Sequence, residues 1–251
     1  MNAPLLKLRV TPIVEAIIDF DCAMTVDTDL EALEPAAKLA FNGYPKVRRA
    51  FVQQMQIEAK EGAPVSVTNQ SGIAALQFFS DDERQLVQIR SGGGYSFNRL
   101  APYSSLDDYL PEVERTWAAF QKLIAPQSVR LVRLRYINRL LLPLSDHRLQ
   151  LEEYLATAPR LPDEKGLLLT QFFDRNVCVE ESTGNTVSIV TTGQPEEAGK
   201  LPVILDIDAV RERGIGPCDW PKLSESIASL RSLKNLVFRN SLTPKCLNLY
   251  E

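Results

Sequence analysis

Two stretches of helical hydrophobic period, each closing a run of period-two segments, constrain this chain more than any other feature. Leu106, Tyr109, Leu110, Val113, Trp117, Phe120 and Ile124 share one helical face about five turns long. Ser105 and Asp108 read as its capping box and Pro126 as its stop. A second helix runs from about Trp220 to Phe238, capped by Asp219 with Pro221 in its first turn. Leu223, Ile227, Leu230 and Val237 mark its buried side. Apolar stripes of that length must be covered, and alternating strands before each helix are the available cover.

From Pro12 to Asp21 the chain alternates, with Val14, Ala16, Ile18 and Phe20 on one side and Glu15, Asp19 and Asp21 on the other. A helix follows from about Leu30 to Phe41, and Pro35 predicts that it starts late or bends. Strands are expected at Phe51–Lys60, Ile73–Ser80, Arg84–Arg90 and Tyr95–Leu100, separated by turn residues including Gly92-Gly93-Gly94. The same order then returns. A long strand covers Val129–Leu142, a short helix Leu149–Leu155, and strands Leu167–Glu180, Thr186–Thr192 and Val203–Val210. The reading is an α+β fold made of two β-α-β(3-4)-α halves, residues 1–126 and 127–251, fused into one compact body. The expected architecture is one curved, mainly antiparallel sheet, or two fused sheets, with the helices on one face.

At 251 residues the chain can bury a core without a metal or disulfide. Its formal charge of -4 and pI near 5.3 argue against a broad nucleic-acid footprint, though a local basic stripe remains open. No run approaches the roughly 18 apolar residues that span a bilayer, and MNAPLLKLRV lacks the apolar core of a signal peptide. Cys22, Cys178, Cys218 and Cys246 lie far apart, which suits reduced thiols, and the expected location is the cytoplasm.

Catalytic vocabulary is sparse. The single histidine, His147, reads as an exposed loop residue and rules out multi-histidine zinc sites. There is no G-x-S-x-G elbow. The segment Gly193 to Lys200 has five residues between its glycines and Leu201 after its lysine, so it is not a phosphate loop. No cofactor is expected.

The charged strand faces carry the functional expectations. On the middle strand Val132, Leu134, Tyr136, Leu140 and Leu142 face one way, with Asn138 as the polar exception. Arg133, Arg135 and Arg139 face the other, and neighbours there stand about 7 Å apart. Glu15 and Asp19 share the outer face of the first strand, and Asp206 and Asp208 alternate with Leu205, Ile207 and Ala209. If the first strands of the two halves are neighbours, Glu15 and Asp19 oppose Arg133 and Arg135. Such a face is either a salt-bridged seam or a binding face for a protein, peptide or anionic ligand, with Arg133, Arg135, Arg139, Glu15 and Asp19 as its contacts. A different class of function is a carboxylate-based enzyme acting on a phosphate-containing substrate, with Glu15, Asp206 and Asp208 around a divalent metal. A third is a small-molecule pocket lined by Trp117, Phe120, Phe172, Phe173 and Phe238.

Three blocks carry a resemblance: Pro12-Ile13-Val14-Glu15-Ala16, Leu134-Arg135-Tyr136-Ile137-Asn138-Arg139 and Leu205-Asp206-Ile207-Asp208. With the late Phe238…Ser241-Leu242-Thr243 segment, they resemble a sporadically distributed family of uncharacterised prokaryotic proteins of about this length. That resemblance implies no established activity. The order of elements also resembles the duplicated TATA-binding-protein-like fold, in topology alone.

Overall fold

A computed structural model describes residues 8–25, 28–58, 66–144, 150–159, 169–215 and 219–251. His147, Cys218 and Leu167 and Leu168 of the expected Leu167–Glu180 strand lie outside these residues.

The first half supplies β1 (Ile13–Ala23), α1 (Leu30–Ala40), β2 (Lys46–Glu58), β3 (Ser66–Phe79), β4 (Gln85–Arg90), β5 (Gly94–Leu100) and α2 (Leu106–Ile124). The second supplies β6 (Ser128–Pro143), a 3-10 turn at Leu151–Glu153, β7 (Phe173–Val179), β8 (Thr186–Gly193), β9 (Lys200–Ile215), α3 (Trp220–Ser241) and α4 (Pro244–Leu247). All strands join one antiparallel, nine-stranded curved sheet in the order β2-β3-β4-β5-β1-β6-β9-β8-β7. The first strands of the two halves, β1 and β6, are neighbours at its centre.

Register explains why one face is apolar. Val47, Phe78, Val87, Phe97, Ile18, Leu134, Ala209 and Val187 lie side by side across the sheet from β2 to β8. The helices cover this row. Trp117 of α2 meets Phe20 edge-on at 4.9 Å, Phe41 after α1 packs on Phe78, and α3 lies over β6 and β9. Asn138, the polar exception, is buried and donates to the Leu205 carbonyl at 2.9 Å, so its burial is compensated.

Several local expectations change. Helix α1 starts at Leu30 and not later, because the Asp29 carboxylate accepts from the Glu31 and Ala32 N–H groups at 2.9 and 3.2 Å. Strand β2 begins at Lys46 instead of Phe51. Its cations hid the pattern: Lys46 and Arg48 pair with Glu83, and Arg49 pairs with Glu31 and Glu34. Ser105 caps the Asp107 N–H at 3.1 Å, while the described contacts include no return bond from Asp108. The short helix expected at Leu149–Leu155 reduces to the 3-10 turn, after which Leu155 bridges to Leu242.

The central row predicts a graded mutational response. Leu134→Ala, at a fully buried position, should cost about 3 kcal/mol in urea unfolding, whereas Leu39→Ala, 81% exposed, should change it little. Equal costs for the two would contradict the assigned core.

Candidate functional site

The face that no helix covers among the described residues carries the charges, and the β1–β6 register shows how they meet. Asp19 stands opposite Arg133, Ile17 opposite Arg135, and Glu15 opposite Ile137. The expected opposition therefore holds for Asp19 with Arg133 and fails for Glu15 with Arg135, because in an unbroken ladder carboxylates four residues apart cannot both face arginines two residues apart. The ion pairs also run elsewhere. Asp19, 5% exposed, accepts from both terminal guanidinium nitrogens of Arg90, with Nη2 2.9 Å from Oδ1. Arg90 lies on β4, and reaches β1 across Gly94 of β5. A Cβ on Gly94 would stand 2.7 Å from that guanidinium, so the missing side chain is what opens the path.

On the other side, β6 is read by β9. Arg135 donates from Nε to both oxygens of Asp206 at 2.9 and 3.1 Å, and from Nη2 to Oδ2 at 2.5 Å. This fork fits a carboxylate in two-point fashion and holds the Arg135 pKa above its ordinary value. Arg133 Nε comes within 3.2 Å of Asp208 Oδ1, yet its N–H is misaligned, and both buried atoms lack a hydrogen bond. Burial pushes the Asp208 carboxyl up, with Arg133 and Arg135 opposing that shift. Glu15 ends a chain of amides crossing four strands: Gln77 donates to Gln88, Gln88 to Asn98, and Asn98 to Glu15 at 2.6 Å.

Each carboxylate of the expected metal triad is engaged by another side chain in this structure. Glu15 is engaged by Asn98, Asp206 by Arg135 and Asp208 by Arg133, and among the described residues no group of three metal-ligating side chains converges. Arg139 stands apart as well, paired with Glu197 and within 3.3 Å of Gln194. The aromatic pocket is likewise not assembled. Trp117 and Phe120 stack on each other inside the core, and Phe173 is 69% exposed on β7.

A hollow of about 210 Å³ opens on the charged face over β6, β9, β8 and β7, lined by Arg135, Arg175, Ser188, Val190, Asp206 and Asp208. Arg175 is the addition that the sequence reading missed. It stands on β7 opposite Val190, leans to Ser188 Oγ at 3.5 Å, and pairs with no carboxylate among the described residues. The signal was present in the alternation Phe173, Arg175, Val177, but only the register places Arg175 beside Asp206 and Asp208.

A second missed residue lies on the helix side. Lys234 of α3 is almost wholly buried, with its ammonium 3.9 Å from the centre of the Tyr136 ring. The described residues give it no carboxylate. The hydroxyls of Tyr103 and Tyr109 reach that of Tyr136 at 3.1 and 3.4 Å, and the nearby Arg231 is tied to Asp107. Burial, then Arg231, lower the Lys234 pKa to about 7, while the Tyr136 face favours the charged form.

A comparison with known protein families finds no match to this chain, and a comparison with curated proteins finds no significant similarity. The resemblance drawn from the sequence blocks therefore stands on those residues alone. Among the described residues no helix is long and apolar enough to cross a membrane.

Two outcomes follow from this geometry. Gly94→Ala should displace Arg90 and strand Asp19, costing about 2 kcal/mol, and the Gly94→Ala/Arg90→Ala double variant should cost little more than either single change. Strict additivity in denaturant unfolding would show that Gly94 acts otherwise. Lys234 binds fewer protons folded than unfolded between about pH 7 and its ordinary range, so wild-type stability should rise with pH across that window. Lys234→Met should flatten this rise and add roughly 2–4 kcal/mol at pH 7, as read by unfolding titrations at several pH values.

Proposed function

We propose that this chain is a non-catalytic binding module that uses the charged, helix-free face of its second half. The observation that carries the reading is the hollow over β6, β9, β8 and β7, where satisfied and unsatisfied charges lie together. Arg135 and Asp206 neutralise each other through the fork, which gives the floor a fixed shape. Among the described residues Arg175 has no carboxylate partner, and Asp208 lines the same hollow with its side chain 24% exposed. A ligand that presents an anionic group to Arg175 and an N–H or ammonium donor to the exposed part of the Asp208 carboxylate would pair with both. An extended acidic peptide has both kinds of group, a side-chain carboxylate and main-chain N–H donors.

The pairings redirect the mutational test. Removing Arg133 and Arg135 leaves Asp206 and Asp208 without partners in a half-buried face, so loss of binding and loss of folding would be confounded. Arg175 does not have this problem. Anisotropy titrations with fluorescent extended peptides, each with Asp or Glu at one position and with the matching amide as control, test the reading. At least one acidic peptide should bind wild type, with Arg175→Ala weakening it about tenfold or more at unchanged thermal stability. Equal binding of acid and amide, or of wild type and Arg175→Ala, would defeat it.

A further inference from the structure

The two edges of the sheet are built differently. β2 carries Lys46, Arg48 and Arg49 and is broken by a register shift between Ala50 and Phe51. Charges and bulges are the devices by which natural edge strands avoid pairing with other chains. β7 has no bulge: its seven residues pair with β8 in unbroken register from Phe173 to Val179. It contains no lysine or proline. Phe173, Val177 and Val179 are 69%, 58% and 63% exposed, and residues on both faces of the strand stand open. Its one cation, Arg175, leans inward over β8 to Ser188, away from the free edge. An edge of this kind, regular, apolar and unpaired among the described residues, is complementary to another strand.

We propose that the occupant is β7 of a second copy of this chain, paired antiparallel about a two-fold axis at Asn176. The strand is self-complementary in that alignment and in no adjacent one. With Asn176 facing its own copy, all seven residues pair: Phe173 with Val179, Asp174 with Cys178 and Arg175 with Val177. No like charges are opposed, and the largest exposed ring covers a valine twice. Moving the axis to Arg175 would set two arginines face to face. Moving it to Val177 would set Asp174 against Glu180. Asn176 donates to Asp174 on its own strand at 2.6 Å, which leaves its amide oxygen for the copy. The contact would join the two sheets edge to edge and leave the hollow beside Arg175 open, so it stands independently of the binding reading.

A single short edge buries less than the roughly 1,200 Å² of stable interfaces, so the dimer should form reversibly at raised concentration. Sedimentation velocity from about 5 to 500 µM should show a monomer–dimer equilibrium. Val177→Lys, a charge placed on the edge, should weaken it at least tenfold while leaving the melting temperature unchanged. Register is tested by Asn176→Cys with Cys178 and Cys218 both replaced by serine. Directly paired Cα atoms lie about 4.5–5.5 Å apart, within disulfide reach, so mild oxidation should link this variant into a covalent dimer. Asp174→Cys in the same background sits about 13 Å from its copy and should stay unlinked. A monomer at every concentration overturns the proposal, as does equal cross-linking of the two cysteine variants.

Discussion

The antiparallel pairing of β1 with β6 is the contact on which the rest of the structure depends. It joins the two halves through their first strands, so that a single sheet runs from β2 to β7. Because side chains alternate along a strand, this one alignment fixes both faces at once. It sends Ile18 and Leu134 to the helices and leaves Asp19 and Arg133 on the other side. A slip of one residue would bury the charges under Trp117 and α3 and expose the central aliphatic row.

The charged face follows from that alignment and is organised by pairs that bypass the nearest neighbour. Arg90 crosses a strand at Gly94 to hold Asp19, and Arg135 reaches diagonally to Asp206. Each buried carboxylate at the sheet centre thus has a guanidinium or amide partner, which is the condition for tolerating it there. Compensation weakens toward β7. Asp208 and Arg133 meet without a hydrogen bond, and Arg175 has a hydroxyl where a carboxylate would serve.

The buried Lys234 shows the same physics on the opposite face. A cation is held under α3 by an aromatic ring rather than by an anion, beside three linked tyrosine hydroxyls. Helical spacing places it one turn past Leu230 and beside Leu233, on the side that packs against β6. Nothing in its immediate sequence, Ser232-Leu233-Lys234-Asn235, separates it from a lysine on a solvated face.

The sequence by itself determined the element order, the class and the charged strands, because alternation and helical spacing are local and survive in any context. The alternations at Ala16–Phe20 and Val132–Leu142 were legible as half-buried strands, and Asp219-Trp220-Pro221 was legible as a helix start. Strand β2 was misplaced for an equally local reason: its cations, neutralised by glutamates elsewhere in the chain, imitate a solvated loop. What only the tertiary structure decided is who partners whom. Register across β4, β5, β1, β6 and β9 gave Asp19 to Arg90, Asp206 to Arg135 and Glu15 to Asn98. Pairings of that kind depend on the alignment of neighbouring strands, a missing Cβ and the diagonal reach of a guanidinium, and none of these is written in the spacing of a single strand.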